Sequence, residues 1–335
     1  MRLSFVCIIS LCYLHSFGQV SDNSLLSVMF YNVENLFDCE DDSLKYDEEF
    51  TPESNKRWNH YRLRQKLNSI SKVILSANQW QPPDIIGLCE VENSNVLKQL
   101  IYETGLRSLR YKYIHFESPD KRGIDVALLY RQDKVKVIKS SPVNISRPDN
   151  NFYTRDALYT HLCFNNRDSI HVIVNHWPSK RGGTLASEPK RVHASNCVSS
   201  LLDSIKSIDR NCHCILMGDF NADTEAQSLK QLIAGHQLIV PKLLETNHKG
   251  VTGTYKYKGQ WSQIDHILIS NTLNDKYSSN LKIIDLPFLV EEDRSYYGVK
   301  PYRTYIGPRY NGGTSDHLPT LLIISENRTD SLVLD

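Results

Sequence analysis

Apolar runs of strand length recur along this chain from end to end, and that recurrence limits the fold more than any other feature. "LLSVMFYNV", "DIIGLCEV", "YKYIHF", "DVALLYR", "ALYTHLCF", "SIHVIVNHW", "HCILMGDFN", "QIDHILIS" and "LPTLLII" have the length and bounds of strands. Helical periodicity is confined to a few stretches. In "YRLRQKLNSISKVILSAN", Leu63, Leu67, Ile70 and Ile74 fall on one stripe. A second helix is predicted in "SEPKRVHASNCVSSLLDSIKS", capped by Ser187 with Glu188 and Pro189 in its first turn. A third is predicted near "NSNVLKQLIYET". Some strands are joined by turns as short as "KRG" at 121–123 and others are bridged by helices, a mixture that calls for mixed sheets. No repeat or low-complexity linker divides the chain, so residues 19–335 read as one domain.

The N-terminus differs in kind. Arg2 precedes an apolar stretch from Leu3 to Leu14, and Ser16 and Gly18 form a small-x-small site, so residues 1–18 read as a secretory signal peptide. A lipid anchor at Cys12 is the weaker reading, because no small residues stand just before it. The chain is expected outside the cytosol, without stable membrane insertion, and as a monomer. Such a compartment allows a disulfide or two among Cys39, Cys89, Cys163, Cys197, Cys212 and Cys214. "CHC" at 212–214 has no second ligand pair at zinc-site spacing, which leaves buried thiols or one disulfide there. The net charge of +1 excludes a global basic field for a polyanion.

The chemistry collects where strands end. "VMFYN" ends in Asn32, "IIGLCE" in Glu90, "VIVNH" in His176, and "ILMGD" in Asp219 with Asn221 after it. Asp316 and His317 stand just before "LPTLLII", and Asp265 lies inside "QIDHILIS". Each alone has a plain explanation. "GDFN" is also an ordinary turn sequence, although strand alternation puts Asp219 and Asn221 on one face. Strand ends converge on one sheet edge, however, and binding sites gather there. The oxygen donors of Asn32, Glu90 and Asp316 suit a hard cation such as Mg²⁺ or Mn²⁺. His176 and His317 suit proton transfer and charge stabilisation at neutral pH, and Asp265 is placed to fix the tautomer of His317. No G-x-S-x-G, P-loop or dinucleotide fingerprint proposes other chemistry.

In this order, "YNVEN", "CEVEN", "RGIDVALLY", "NHWPS", "GDFN", "IDHIL" and "GTSDHLP" resemble the successive motifs of the endonuclease/exonuclease/phosphatase superfamily, and they span Tyr31 to Pro319. The resemblance implies an α/β (α+β) four-layer sandwich of two packed mixed β-sheets flanked by helices. It also implies a divalent-metal-dependent phosphoester hydrolase. On it, Glu90 is the principal metal ligand, with Asn32 and Asp316 also at the metal. Asp219 orients the attacking water, Asn221 contacts the scissile phosphate, His176 stabilises the developing oxyanion, and Asp265 pairs with His317. Asp125 in "RGIDVALLY" has two readings, at the site or in a turn.

The substrate is less determined, since one fold hosts many. A nuclease is expected first, gripping phosphate through Arg155, Lys180 and Arg181, with Lys190 and Arg191 nearby. The tyrosines of a long loop, Tyr296, Tyr297, Tyr302, Tyr305 and Tyr310, are read either as base-stacking platforms or as loop packing. The alternative is a phosphatase or phosphodiesterase for small or lipid-borne phosphates, favoured if residues 285–313 build a closed pocket. A binding protein on an inactive scaffold would require a missing core residue, and none is missing.

Overall fold

The computed structural model describes residues 24–165, 168–248 and 250–327. Residues 1–18, with Cys12, lie outside the described residues, so the signal-peptide reading is not addressed by the fold. Among the described residues, no helix is long and apolar enough to cross a membrane.

Two six-stranded sheets share one plan. In the first, β1 (Ser24–Leu36) and β2 (Ile85–Val91) run parallel at the middle, bridged by α1 (His60–Ser76). Beyond β2 lie β4 (Asp125–Arg131) and β3 (Tyr111–His115), both antiparallel, with α2 (Ser94–Tyr102) on the connection. On the other side of β1 lie β18 (Thr320–Glu326) and β13 (Tyr277–Ile283). In the second sheet, β7 (Asp168–His176) and β8 (Cys214–Asp219) are the parallel pair, bridged by α3 (Thr184–Ile208). Here β6 (Ala157–Phe164) and β5 (Val135–Val143) extend past β7. Past β8 come β12 (Asp265–Ser270) and β9 (Leu238–Ile239), with α4 (Gln227–His236) and α5 (Asn271–Lys276) in the connections. Three hairpins complete the chain: β10 (Tyr255–Tyr257) with β11 (Gln260–Ser262), β14 (Val290–Glu292) with β15 (Val299–Pro301), and β16 (Tyr305–Ile306) with β17 (Arg309–Tyr310).

Alternation divides the core into layers. Val28 and Phe30 of β1, Val172 and Val174 of β7, Ile215 and Met217 of β8, and Ile267 of β12 fill the space between the sheets. Met29 and Tyr31 face the other way, onto Leu63, Leu67, Ile70 and Ile74 of α1. Leu216 and Ile173 likewise face Val198 and Leu202 of α3. The result is helix, sheet, sheet, helix, with both sheets mixed.

Two local expectations are corrected. The long helix starts at Thr184 rather than at Ser187, and Pro189 lies inside it. The extra turn is held by Arg191, whose Nη2 donates to Thr184 O at 3.1 Å and whose Nη1 donates to Pro178 O at 3.2 Å. Ser187 Oγ does not cap; it donates back to Gly183 O at 2.7 Å. None of the six cysteines among the described residues is in a disulfide, and the buried Cys212 and Cys214 Sγ atoms stand 3.7 Å apart.

The parallel contact just below the site is tight. A Cβ on Gly218 would lie 2.4 Å from Asn175 O on β7, so no side chain fits there. Gly235, inside α4, has nothing within 4 Å of the same position. Gly218→Ala is therefore expected to destabilise the fold by at least ~1–3 kcal/mol in urea melts. Gly235→Ala should instead stabilise it by up to ~1 kcal/mol. An unchanged midpoint for Gly218→Ala would mean that β7 and β8 can part freely.

Candidate active site

Asn32, Glu90, His176 and Asp219 stand at or near the carboxyl ends of the four parallel strands β1, β2, β7 and β8. For three of them alternation alone sets the direction: Asn32 follows Phe30, His176 follows Val174 and Asp219 follows Met217 on the inner face. Because β12 runs antiparallel to β8, its first residue, Asp265, pairs with Asp219. Because β18 runs antiparallel to β1, Asp316 and His317 arrive at the same end just before that strand begins.

Glu90 arrives by another route. Its φ is +61°, and the pairing of β2 with β4 shifts between Cys89 and Val91. This bulge turns a residue of the wrong parity toward the cleft. Glu34, Asn35 and Asn221 are left-handed as well, at φ +50°, +57° and +49°. Such conformations in residues other than glycine cost energy and gather at functional sites.

These residues border one cleft of about 590 Å³, with Glu34, Glu90, His176, Asp219, Asn221, Asp316 and His317 among its lining. His317 Nδ1 donates to Asp265 Oδ2 at 2.8 Å, and Thr254 Oγ1 donates to the same oxygen. His317 Nε2 is left facing Asp219 Oδ2 at 3.9 Å and Asp316 Oδ1 at 4.0 Å. Burial alone opposes the imidazolium. The charge of Asp265, the bond to it and the charges of Asp219 and Asp316 outweigh that and hold His317 well above the ordinary histidine range. His176 goes the opposite way. Burial, then the charges of Arg155, Arg122 and His317, hold it well below that range, so it is neutral at pH 7 and offers an N–H rather than a charge. Its Nδ1 is buried without a partner among the described residues, while Nε2 lies 3.7 Å from Asp219 and 4.0 Å from Glu90.

Asp219 Oδ2 accepts from Asn32 Nδ2 at 3.0 Å, and its Oδ1 accepts from Asn221 N at 2.9 Å. That second bond is a turn of the kind "GDFN" suggests, so the turn and the site are the same structure. The strand ends at Asp219, and Asn221 reaches the cleft from the turn, not by strand alternation. Its Nδ2 donates to Trp177 O at 3.1 Å. Asn32, read as a metal ligand, here ties Asp219 to the Glu34 backbone, whose N–H it accepts at 3.0 Å.

The donor set fits a hard cation. Glu90 spends Oε2 on Asn35 N at 2.9 Å, and its Oε1 is the oxygen nearer His176; Asp316 spends Oδ2 on Arg303 at 2.9 Å. One carboxylate oxygen remains on each. Buried carboxylates also crowd one another in the cleft. Burial, then Asp316, push Glu34 up to about 7, and burial, then Asp265, push Asp219 up to about 7. A dication relieves such crowding. Among the described residues, Asp219–Asp265–His317 and Cys89–His176–Asp219 bring metal-capable atoms within 4.8 Å of one another, as does His115–Glu117–Asp125 elsewhere. Asp125, the first residue of β4, serves structure: its carboxylate binds Ser118 N at 3.0 Å and His115 Nε2 at 3.2 Å, and it does not line the cleft.

The basic residues separate. Lys180 and exposed Arg181 line the cleft. Arg155 lines it too, but its Nη1 and Nη2 bind Asp120 Oδ2 at 3.2 Å and Trp177 O at 2.8 Å. Arg191 is fully buried as the pin of α3, and Lys190 lies over the Phe152 ring. None of the late-loop tyrosines lines the cleft: Tyr305 is buried beside Trp58, Tyr302 bonds Asn311 O at 2.7 Å, and Tyr297 is fully exposed. The cleft tyrosines are Tyr255 and Tyr257 of the β10–β11 hairpin, whose turn at Lys258–Gly259 has positive φ at both residues. "YKYKGQW", aromatics alternating around Lys-Gly, is the signal that marks it. Thr254, Glu34 and Arg122 are the other site residues that strand-end reasoning misses.

The profile described as "Endonuclease/Exonuclease/phosphatase family" matches residues 27–326. Comparison with curated protein sequences gives no match. Similar solved structures include an endonuclease/exonuclease/phosphatase family protein from Bacteroides thetaiotaomicron, at TM-score 0.61 and 17% identity over 90% of this chain and 98% of that one. A mannosyl-6-phosphatase from the same organism superposes at 0.59 with 16% identity, over 89% and 99% of the two chains. The human nocturnin catalytic domain with bound sulfate gives 0.55 and 19%, over 90% and 94%.

If Asp265, Thr254 and His317 act as a unit, their losses will not multiply. His317→Ala is expected to lower kcat by ~10²–10⁴. Asp265→Asn added to it should do little more, and Thr254→Val alone should cost less than either. Steady-state kinetics in which the single losses multiply would break the pairing.

Proposed function

The chain belongs to the endonuclease/exonuclease/phosphatase family, and from that premise we propose a divalent-metal-dependent phosphoesterase that takes one phosphate on a compact, ring-bearing carrier. Phosphoester hydrolysis follows from the family and from the site. The carrier is the finer reading, and one observation carries it. The acidic and histidine cluster forms the floor of a cleft of about 590 Å³ walled by Tyr255 and Tyr257. That volume lies in the range of small-ligand pockets. A duplex presents one charge per ~1.7 Å of its axis, whereas this chain has a net charge of +1; residues 285–313, expected to build the pocket, do not line it, and Tyr255 and Tyr257 line it instead. The mannosyl-6-phosphatase among the similar structures acts on a carrier of this size class.

Glu90 and Asp316 would hold the metal, Mg²⁺ or Mn²⁺, with Glu34 and Asn32 beside them. When bound, it supplies positive charge to the phosphate oxygens and to the leaving group. Asp219 orients the attacking water from the opposite sheet. His317, kept cationic by Asp265, faces the phosphate with Nε2 and is positioned to neutralise the developing charge or to deliver a proton. His176 and Asn221 donate N–H groups to the phosphate oxygens, a role that suits a neutral imidazole. Lys180 and Arg181 meet the part of the substrate that projects from the cleft.

A nuclease is the second reading. The half-buried Lys180 and the exposed Arg181 favour it, since both line the cleft together with the exposed Tyr257. We also place the protein outside the cytosol, on the strength of residues 1–18, and as a monomer.

The purified chain with Mg²⁺ is to be profiled against hexose phosphates, nucleotides, single- and double-stranded DNA, RNA and phospholipid. The expected outcome is faster turnover of sugar phosphates and nucleotides than of polymers, abolished by EDTA. Preferential cleavage of nucleic acid would transfer the assignment to the nuclease. Full turnover in chelator would defeat the metal mechanism.

A further inference from the structure

Arg303 spans two carboxylates of the site, Glu34 and Asp316. It comes from the loop between β15 and β16 and is absent from every sequence motif of the site. Its Nη2 donates to Asp316 Oδ2 at 2.9 Å and to Glu34 Oε1 at 3.2 Å, and its Nε donates to the same Glu34 oxygen at 3.3 Å. Thr304 N takes the other Glu34 oxygen at 2.7 Å. Both oxygens of Glu34 and one of Asp316 are thus committed to the loop.

The loop that carries Arg303 is held rigidly. Thr314 N donates to Tyr302 O at 2.8 Å, Asn311 N to Thr304 O at 2.8 Å, and Gly313 N to Arg303 O at 3.2 Å. A Cβ on Gly313 would fall 2.0 Å from Tyr302 O, so only glycine allows these two segments to lie together. Beneath them Lys66, 2% exposed, ties α1 to both: its Nζ donates to Glu34 O and Thr304 Oγ1 at 2.6 Å each and to Thr314 O at 3.1 Å.

Two-metal phosphoesterases hold their ions ~3.5–4 Å apart, each pair bridged or flanked by carboxylates. Asp219 and Asp265 already face His317, whose Nδ1 donates to Asp265 Oδ2 at 2.8 Å and whose Nε2 lies 3.9 Å from Asp219 Oδ2; that leaves Glu34 and Asp316 for a second ion, and a guanidinium already spans them. A guanidinium is planar, permanently charged and presents its donors as a fork, which suits two carboxylates at once. We propose that Arg303 replaces a second metal ion, so that the protein binds a single divalent cation, between Glu90 and Asp316. This rests on the metal-dependent reading above and goes beyond it to the number of ions.

Mn²⁺ titration of the full chain, by calorimetry and by electron paramagnetic resonance of free Mn²⁺, tests the proposal without reference to turnover. Wild type is expected to bind one ion, and Arg303→Met, which removes the guanidinium, to bind two. Arg303→Lys keeps the charge and should stay at one. Adding Glu34→Gln to Arg303→Met should return the count to one. Two ions on wild type overturn the proposal even if Arg303→Met fails to fold. One ion on both wild type and Arg303→Met overturns it as well. No ion on wild type defeats the metal reading itself, a different failure from either.

Discussion

The layer of side chains between the two sheets governs everything above it. Phe30 and Met217 meet over Gly87, where an added Cβ would lie 2.9 Å from Met217 Sδ, so the sheets close on a position kept free of a side chain. The polar site is the continuation of that layer by one more residue on each strand: Asn32 beyond Phe30, His176 beyond Val174, Asp219 beyond Met217, Asp265 before Ile267. A slip of one residue in any of these strands would turn its functional side chain onto a helix and an apolar neighbour into the cleft. The catalytic geometry and the hydrophobic register are therefore one property, enforced by burial rather than by the polar contacts themselves.

That shared property explains how much of the molecule is legible from the residues alone. Apolar runs ending in Asn32, His176 and Asp219 announce both the strands and the direction of their last side chains, because a strand has a period of two. The α1 stripe through Leu63, Leu67, Ile70 and Ile74 is equally plain, and all four lie in the layer under that helix. Glu90 reaches the cleft through a bulge, and alternation gives no warning of a bulge. The tyrosine, arginine and lysine contacts are illegible for another reason. Composition marks the late loop as unusual, but only the tertiary packing decides that Arg303 enters the site while Tyr305 enters the core. Arg191 and Lys190 are adjacent and chemically alike in sequence, yet one is wholly buried and the other exposed on α3.

Charge is arranged in the same economical way. His317 and His176 approach Asp219 at 3.9 and 3.7 Å, yet one is held as a cation and the other as a neutral ring. Both are buried, which opposes the charge; the Asp265 carboxylate behind His317 outweighs that burial, whereas the cations around His176, Arg155 first, add to it. Two imidazoles of opposite character around one carboxylate give the cleft a charged donor and an uncharged one.

The pairing of β18 with both β1 and β13 has a consequence for the birth of the protein. The last strand of the first sheet in sequence is an interior one, inserted between β1 and β13. During synthesis β1 precedes one of its two partners, β18, by hundreds of residues, with an apolar face on each side. The first sheet cannot close, and Asp316 and His317 cannot meet Asp219, until almost the whole chain is available. Nascent chains of this architecture must be kept from pairing their open edge with one another, and the enzyme has no partly assembled form capable of chemistry.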